Sequence, residues 1–132
     1  MHEAVDLFVA MKPAAKARPR VTRRGVYMPK AYQVWRKTFQ ELARPQYQGE
    51  PFTCPVYLAV IFSTKTGTMR PDIDNAAGAV LDALQPWFIK NDSQVRELIA
   101  GVVIDGKFPG LCRPSGIAVL LQTASVLEEL AH

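Results

Sequence analysis

Cysteine is scarce: Cys54 and Cys112 are the only two in 132 residues. Two thiols build neither a disulfide scaffold nor a zinc site of the paired-Cys kind, so the expected state is reduced thiols in a cytosolic chain. No uncharged stretch approaches the roughly 20 apolar residues a membrane span requires, so no membrane partner is expected. The opening Met1-His2-Glu3-Ala4 has no basic n-region and no small-residue cleavage site, so a secretory signal is not expected. There is no internal repeat, no heptad pattern and no low-complexity tract. A Gly-rich phosphate loop is missing too, which argues against a sugar-nucleotide or nucleotide-processing enzyme and any organic cofactor.

What is present is ordinary globular composition. Hydrophobic residues make up 48% and charged residues 21%, which excludes wholesale disorder. The length fits one domain over residues 1–132, large enough to bury roughly two-thirds of its surface without a staple.

The net charge of +4 is unevenly placed. Residues 1–50 hold ten Lys/Arg against four Asp/Glu, and residues 51–132 hold six against eight. Between Lys12 and Lys37 lie nine basic residues and no acid. Pro13, Pro19 and Gly25 interrupt this block, so residues 12–30 read as an extended, mobile basic arm or loop. It is either a solvated loop or a phosphate-contacting surface, the latter because clustered Lys/Arg gains counterion-release entropy on a polyanion. Lys16, Arg18, Arg20, Arg23, Arg24 and Lys30 are the candidate DNA contacts. Tyr27, Tyr32 and Trp35 lie in or beside the block and are able to stack on bases.

The pattern along the chain predicts β-α-β-α-β-β. Val5, Leu7, Val9 and Met11 alternate as one side of a half-buried strand. Arg24-Gly25-Val26-Tyr27 reads as a hairpin-like turn, and Pro29 suits a helix start. Over Ala31 to Ala43 the periodicity puts Ala31, Val34, Trp35, Phe39 and Leu42 on one face, which makes Trp35 a core anchor. Arg44-Pro45 ends that helix. Val56 to Ser63 is a β-branched and aromatic strand, expected to be central. A helix is expected from about Asp74 to Gln85, stopped by Pro86. Strands follow at Val95–Ile104, bent near Gly101, and at Ile117–Thr123, with a loop from Gly106 to Pro114 between them and a short helix or tail from Ser125 to Leu130. This order indicates an α+β fold, a mixed β-sheet with two main helices packed on one face.

Arg70-Pro71-Asp72-Ile73-Asp74-Asn75 sets two carboxylates two residues apart. On a regular helix they would diverge by roughly 200°. With Pro71 holding Asp72 extended, both are able to converge where the chain turns into the helix. Asp92 follows, at the start of the next strand. Three carboxylates crowd together only at a cost unless a cation neutralises them, and oxygen donors alone imply a hard ion such as Mg²⁺ or Mn²⁺. Each also has a plain role: Asp72 or Asp74 as helix cap, Asp92 as turn residue. Spacing does not decide between these. An EF-hand is excluded, because counting from Asp72 the fifth, sixth and twelfth positions are Ala76, Ala77 and Ala83.

Three blocks together resemble the RusA-type Holliday junction resolvases. These are Arg70-Pro71-Asp72-Ile73-Asp74-Asn75, the helix Ala79-Val80-Leu81-Asp82-Ala83-Leu84, and Asn91-Asp92-Ser93-Gln94-Val95. Lys16-Ala17-Arg18-Pro19-Arg20 resembles a further family segment upstream, and the match spans roughly residues 12–104. The resemblance implies a RusA-like homodimer, cytoplasmic and nucleoid-associated in bacteria or phage-encoded. It implies a Mg²⁺-dependent endonuclease cutting four-way DNA junctions in recombination and repair, with Asp72, Asp74 and Asp92 as catalytic metal ligands. Arg70 and Lys90 become phosphate-contact candidates. Two positions depart from the pattern. Gly78 stands where the family has a helix lysine, at roughly 1 kcal/mol of helix stability relative to Ala. Asn91 replaces the first acid of an Asp-Asp pair. Lys90 is the candidate substitute for the missing lysine, and Asn91 is able to coordinate or hydrogen-bond through its amide. The competing reading is a junction-binding protein of the same fold that has lost cleavage; a basic structural protein is the third.

Overall fold

Val5, Leu7 and Val9 alternate with the exposed Asp6 and turn one side of the first strand, β1 (Ala4–Val9), into the protein interior. The computed structural model describes residues 4–105 and 115–124. The expected loop at Gly106–Pro114 and the expected helix at Ser125–Leu130 lie outside the described residues. After β1 come β2 (Arg20–Thr22), β3 (Gly25–Tyr27), α1 (Lys30–Ala43), β4 (Val56–Thr64), α2 (Ile73–Leu84), β5 (Val95–Ile104) and β6 (Gly116–Thr123). Short 3-10 turns at Arg44–Gln46 and Asp92–Gln94 follow α1 and precede β5.

Four strands form a mixed sheet in the order β1-β6-β4-β5. β6 runs antiparallel to both β1 and β4, while β4 and β5 are parallel and joined through α2. The registers Leu7↔Val119, Val119↔Val60 and Val60↔Ala100 line up one face across all four strands. On that face Val5, Leu7, Val9, Leu58, Val60, Phe62, Ile117, Val119 and Leu121 are buried in one cluster with Phe39 and Ala43 of α1 and Ala76, Val80, Ala83 and Leu84 of α2. Both helices thus cover the same side of the sheet, and β4 is interior, with β6 and β5 on its flanks. The fold is α+β.

Two expectations are corrected. The buried stripe of α1 is Tyr32, Phe39 and Ala43 with Trp35 half-buried, while Ala31 is exposed and Val34 and Leu42 are 55% and 43% exposed. The face is rotated by roughly a fifth of a turn from the aliphatic pattern. The reason is aromatic: Tyr32 stacks on Trp35 with centroids 6.2 Å apart, Trp35 meets Phe39 at 5.6 Å, and the Tyr32 hydroxyl finds a partner on α2. Burying three rings in mutual contact outweighs burying Val34 and Leu42. Second, β5 pairs evenly past Gly101, and its irregularity falls at Val56/Tyr57, where successive partners are Val95 and Glu97. The extra residue sits where the 3-10 turn feeds into the strand. The first part of the basic stretch is hydrogen-bonded to the rest of the fold. The Trp35 indole donates to the Lys12 carbonyl at 2.8 Å and the Lys16 N–H donates to the Asn75 carbonyl at 3.1 Å, so residues 12–16 are tied to both helices. Beyond them the chain forms the separate β2–β3 hairpin, with Gly25 at φ +123.

Among the described residues no helix is long and apolar enough to cross a membrane. Cys54 is a free thiol packed against the core.

Phe62 is fully buried on the central strand, so Phe62→Ala is expected to destabilise the fold by about 3–5 kcal/mol, read as a lowered urea midpoint at unchanged m-value.

Candidate active site

The turn between β4 and α2 delivers the two neighbouring aspartates. The Thr64 hydroxyl accepts the Gly67 N–H at 2.9 Å, and Gly67 takes φ +77, where a Cβ would lie 2.7 Å from Ile104. The chain then passes through Arg70 and Pro71 to Asp72, whose backbone stays extended at φ −62, ψ 149 and whose carbonyl accepts the Ala76 N–H at 2.9 Å. Asp72 is thus the residue before the helix and Asp74 lies in its first turn. The Asp72 side chain makes no capping hydrogen bond. Of the two roles open to it, the carboxylate is not spent on the cap. Asp72 and Asp74 are both exposed and line one cavity of about 670 Å³, walled by Pro71, Ala77 and the β5 residues Leu98, Ala100 and Val102.

Asp92 is elsewhere. Because β4 and β5 are parallel, α2 carries the chain back along the sheet, and Val95 pairs with Val56 while Ile104 pairs with Thr64. The twelve residues of α2 span about 18 Å, which separates Asp72 and Asp74 from Asp92. Among the described residues no three His, Cys, Asp or Glu side chains gather where they could hold a metal ion. Two carboxylates on one open cavity nonetheless suit Mg²⁺, which takes one or two carboxylates and completes its shell with water and substrate phosphate. In a single chain the carboxylates that line this cavity are Asp72 and Asp74, without Asp92.

Asn91 and Gln94 have structural work. The Asn91 side chain accepts the Ser93 N–H at 2.9 Å, and Gln94 Oε1 accepts the N–H groups of Lys90 and Asn91 at 2.8 and 2.9 Å, a reciprocal capping box. Gln94 Nε2 donates to the carbonyls of Phe52 and Cys54 at 2.7 and 3.1 Å, tying this turn to the segment before β4. Asn and Asp serve equally well at an N-cap, so Asn91 for Asp preserves the turn. Lys90 is exposed at this same end, away from Asp72 and Asp74.

Beside the two aspartates a second cleft of about 610 Å³ collects Lys12, Lys65 and Arg70. Arg70 is the phosphate candidate among them; Lys12 and Lys65 carry no local signal, since only the fold brings residues 53 positions apart to one wall. The same cleft includes Ser63 and Ser115, which donate to the two oxygens of Asp105 at 2.7 and 2.6 Å. The Ser115 hydroxyl first, then that of Ser63, holds the Asp105 carboxyl below the usual carboxylate range.

Lys16 lies along α2. Its ammonium is 3.5 Å from one oxygen of Asp82, whose other oxygen accepts the Tyr32 hydroxyl at 2.6 Å. Burial, then the bond to Asp82, pushes the Tyr32 phenol pKa up. Asp82 therefore joins α1, α2 and the basic segment, a role spacing alone could not reveal. The remaining candidate cations sit farther out: Arg18 and Lys30 are exposed, Arg20 is on β2, and Arg23 and Arg24 form the hairpin turn. The hairpin also displays the cross-strand pair Val21 and Val26, 79% and 67% exposed.

Paired carboxylates at a helix start, open to solvent, thus stand beside a cleft lined by three cations. The family profile of endodeoxyribonuclease RusA matches residues 10–112 of the 132. The chain belongs to the RusA family of endodeoxyribonucleases, which are Holliday junction resolvases. Comparison with curated proteins returned no match.

Asn91→Asp is expected to leave stability within about 0.5 kcal/mol of the parent, whereas Gln94→Ala strips partners from four backbone groups and is expected to cost about 2–3 kcal/mol in chemical denaturation.

Proposed function

We propose that this chain resolves four-way DNA junctions by Mg²⁺-dependent cuts at two symmetric sites in a homodimer. The observation that carries the reading is the shared cavity of Asp72 and Asp74 beside the Lys12, Lys65 and Arg70 cleft. Asp72 and Asp74 hold the ion, and Mn²⁺ fits the same oxygen donors. When bound, the ion supplies Lewis acidity at the phosphoryl oxygen and makes water a better nucleophile. Water adds to phosphorus and the bond to one deoxyribose oxygen breaks, leaving a phosphomonoester and a free hydroxyl. Arg70, Lys12 and Lys65 orient the phosphate and offset its charge. Arg18, Arg20, Arg23, Arg24 and Lys30 grip the junction arms through phosphates, and Lys90 serves with Asp92 at the far end of β5.

Asp92 enters the site from a second copy. β5 is the outer strand of the sheet among the described residues, ten residues long, with Leu98, Ile99 and Ile104 each more than 40% exposed. Such an edge invites pairing. Antiparallel pairing of two β5 edges across a two-fold axis runs each Asp92 end alongside the other copy's Asp72 and Asp74 end. An isologous dimer then completes two equivalent sites, as two symmetric nicks require. The proposed ligand set is Asp72, Asp74 and the partner subunit's Asp92.

Asp74→Asn is expected to abolish nicking of a synthetic junction while binding in Ca²⁺ persists; normal cutting would sink the metal assignment. Mixed dimers of Asp74→Asn and Asp92→Asn chains are expected to regain single nicks, because one of their two shared sites is intact. If the mixture stays silent while each parent binds, the aspartates act within one chain. Binding without any cutting by the unmodified chain would favour the junction-binding reading. Junction affinity is also expected to fall steeply with salt, with a log–log slope of several units in titrations at graded salt; a flat response would remove the basic segment from the interface.

A further inference from the structure

Lys16 lays its side chain along α2 directly over Gly78, where a Cβ would crowd it. Its N–H is fixed on the Asn75 carbonyl at 3.1 Å, one residue from Asp74. Its side chain then crosses Gly78, where a Cβ would meet Lys16 Cδ at 3.2 Å and Cβ at 3.5 Å. The ammonium ends 3.5 Å from Asp82, beyond good hydrogen-bond distance, with the Lys16 side chain 47% exposed and that of Asp82 19%. A pair this open and this long holds the lysine loosely. Position 78 is one helical turn below Asp74, with about 5–6 Å between Cβ positions, and a four-carbon stem starting there reaches the cavity of Asp72 and Asp74. Asp82 in turn is held by the buried Tyr32 hydroxyl at 2.6 Å, so the resting place of the ammonium is itself anchored on both helices.

We propose that Lys16 is a catalytic residue whose ammonium, with its stem lying over Gly78 and its tip resting on Asp82, swings about two helical turns, roughly 12 Å, to contact the scissile phosphate at Asp72 and Asp74. Asp82 and Tyr32 are positioning residues, and Gly78 provides the track. The inference rests on the nuclease reading above and replaces Lys90 as the cation of the site. Lys16 stays protonated throughout and acts by charge on the phosphate as negative charge develops in the transition state.

The test is single-turnover nicking of a four-way junction in Mg²⁺ at saturating protein, beside junction affinity in Ca²⁺. Lys16→Ala is expected to slow nicking about 100-fold while affinity changes less than about threefold and the melting temperature holds. Lys16→Ala combined with Gly78→Lys returns an amine to the same turn and is expected to recover at least about tenfold of the lost rate. A Lys16→Ala rate within about threefold of the parent would overturn the assignment, as would a rate loss accounted for by weaker binding. A double variant no faster than Lys16→Ala would overturn the placement over Gly78. A parent chain that binds but never cuts overturns the nuclease reading and this one with it, whereas a cutting parent with an unimpaired Lys16→Ala overturns this one alone.

Discussion

Parallel pairing of β4 with β5 sets everything else in place. Two parallel neighbours require a connection that returns along the full length of the sheet, and α2 is that connection. Its start therefore lies where β4 ends and its finish where β5 begins. The first consequence is that Asp72 and Asp74 share a cavity at one end. The second is that Asp92, eighteen residues after Asp74, stands at the other. A chain built this way holds two of the three aspartates at one end of the helix and the third at the other.

The helix that separates the acids also organises the cations. Its inner face, Ala76, Val80, Ala83 and Leu84, is buried against the sheet, and its small residues let the helix lie close. Its flank carries Gly78 and Asp82 beneath the Lys16 side chain. The basic segment is thereby laid on the helix that bears Asp74, and Trp35 fixes the same segment from α1 through Lys12. Charges of both signs meet at one helix start because side-chain and backbone hydrogen bonds, worth about 1 kcal/mol each, bind an otherwise self-repelling stretch to it.

Much of the secondary structure was legible along the chain. Alternation marked β1 and β-branched and aromatic content marked β4; these and the strands expected at Val95–Ile104 and Ile117–Thr123 fall within a residue or two of the observed bounds, and Pro71 and Pro86 bracket α2. The capping box at Asn91 and Gln94 was also within reach, since its partners are three residues apart. The buried face of α1 was not legible. Which of two overlapping apolar stripes turns inward depends on contacts made by Tyr32 and Trp35 with residues 50 and 23 positions away. For the same reason Lys12, Lys65, Asp82 and Asp105 carried no local signal of their places.

The sequence by itself determined the family, the α+β order, the two-residue spacing of Asp72 and Asp74 and the one-sign basic block from Lys12 to Lys37, all properties of short segments. Only the tertiary structure decided which charges meet. Proximity among Lys16, Gly78 and Asp82, and distance between Asp74 and Asp92, follow from strand register and helix packing, and those are set by burying apolar area over the whole sheet.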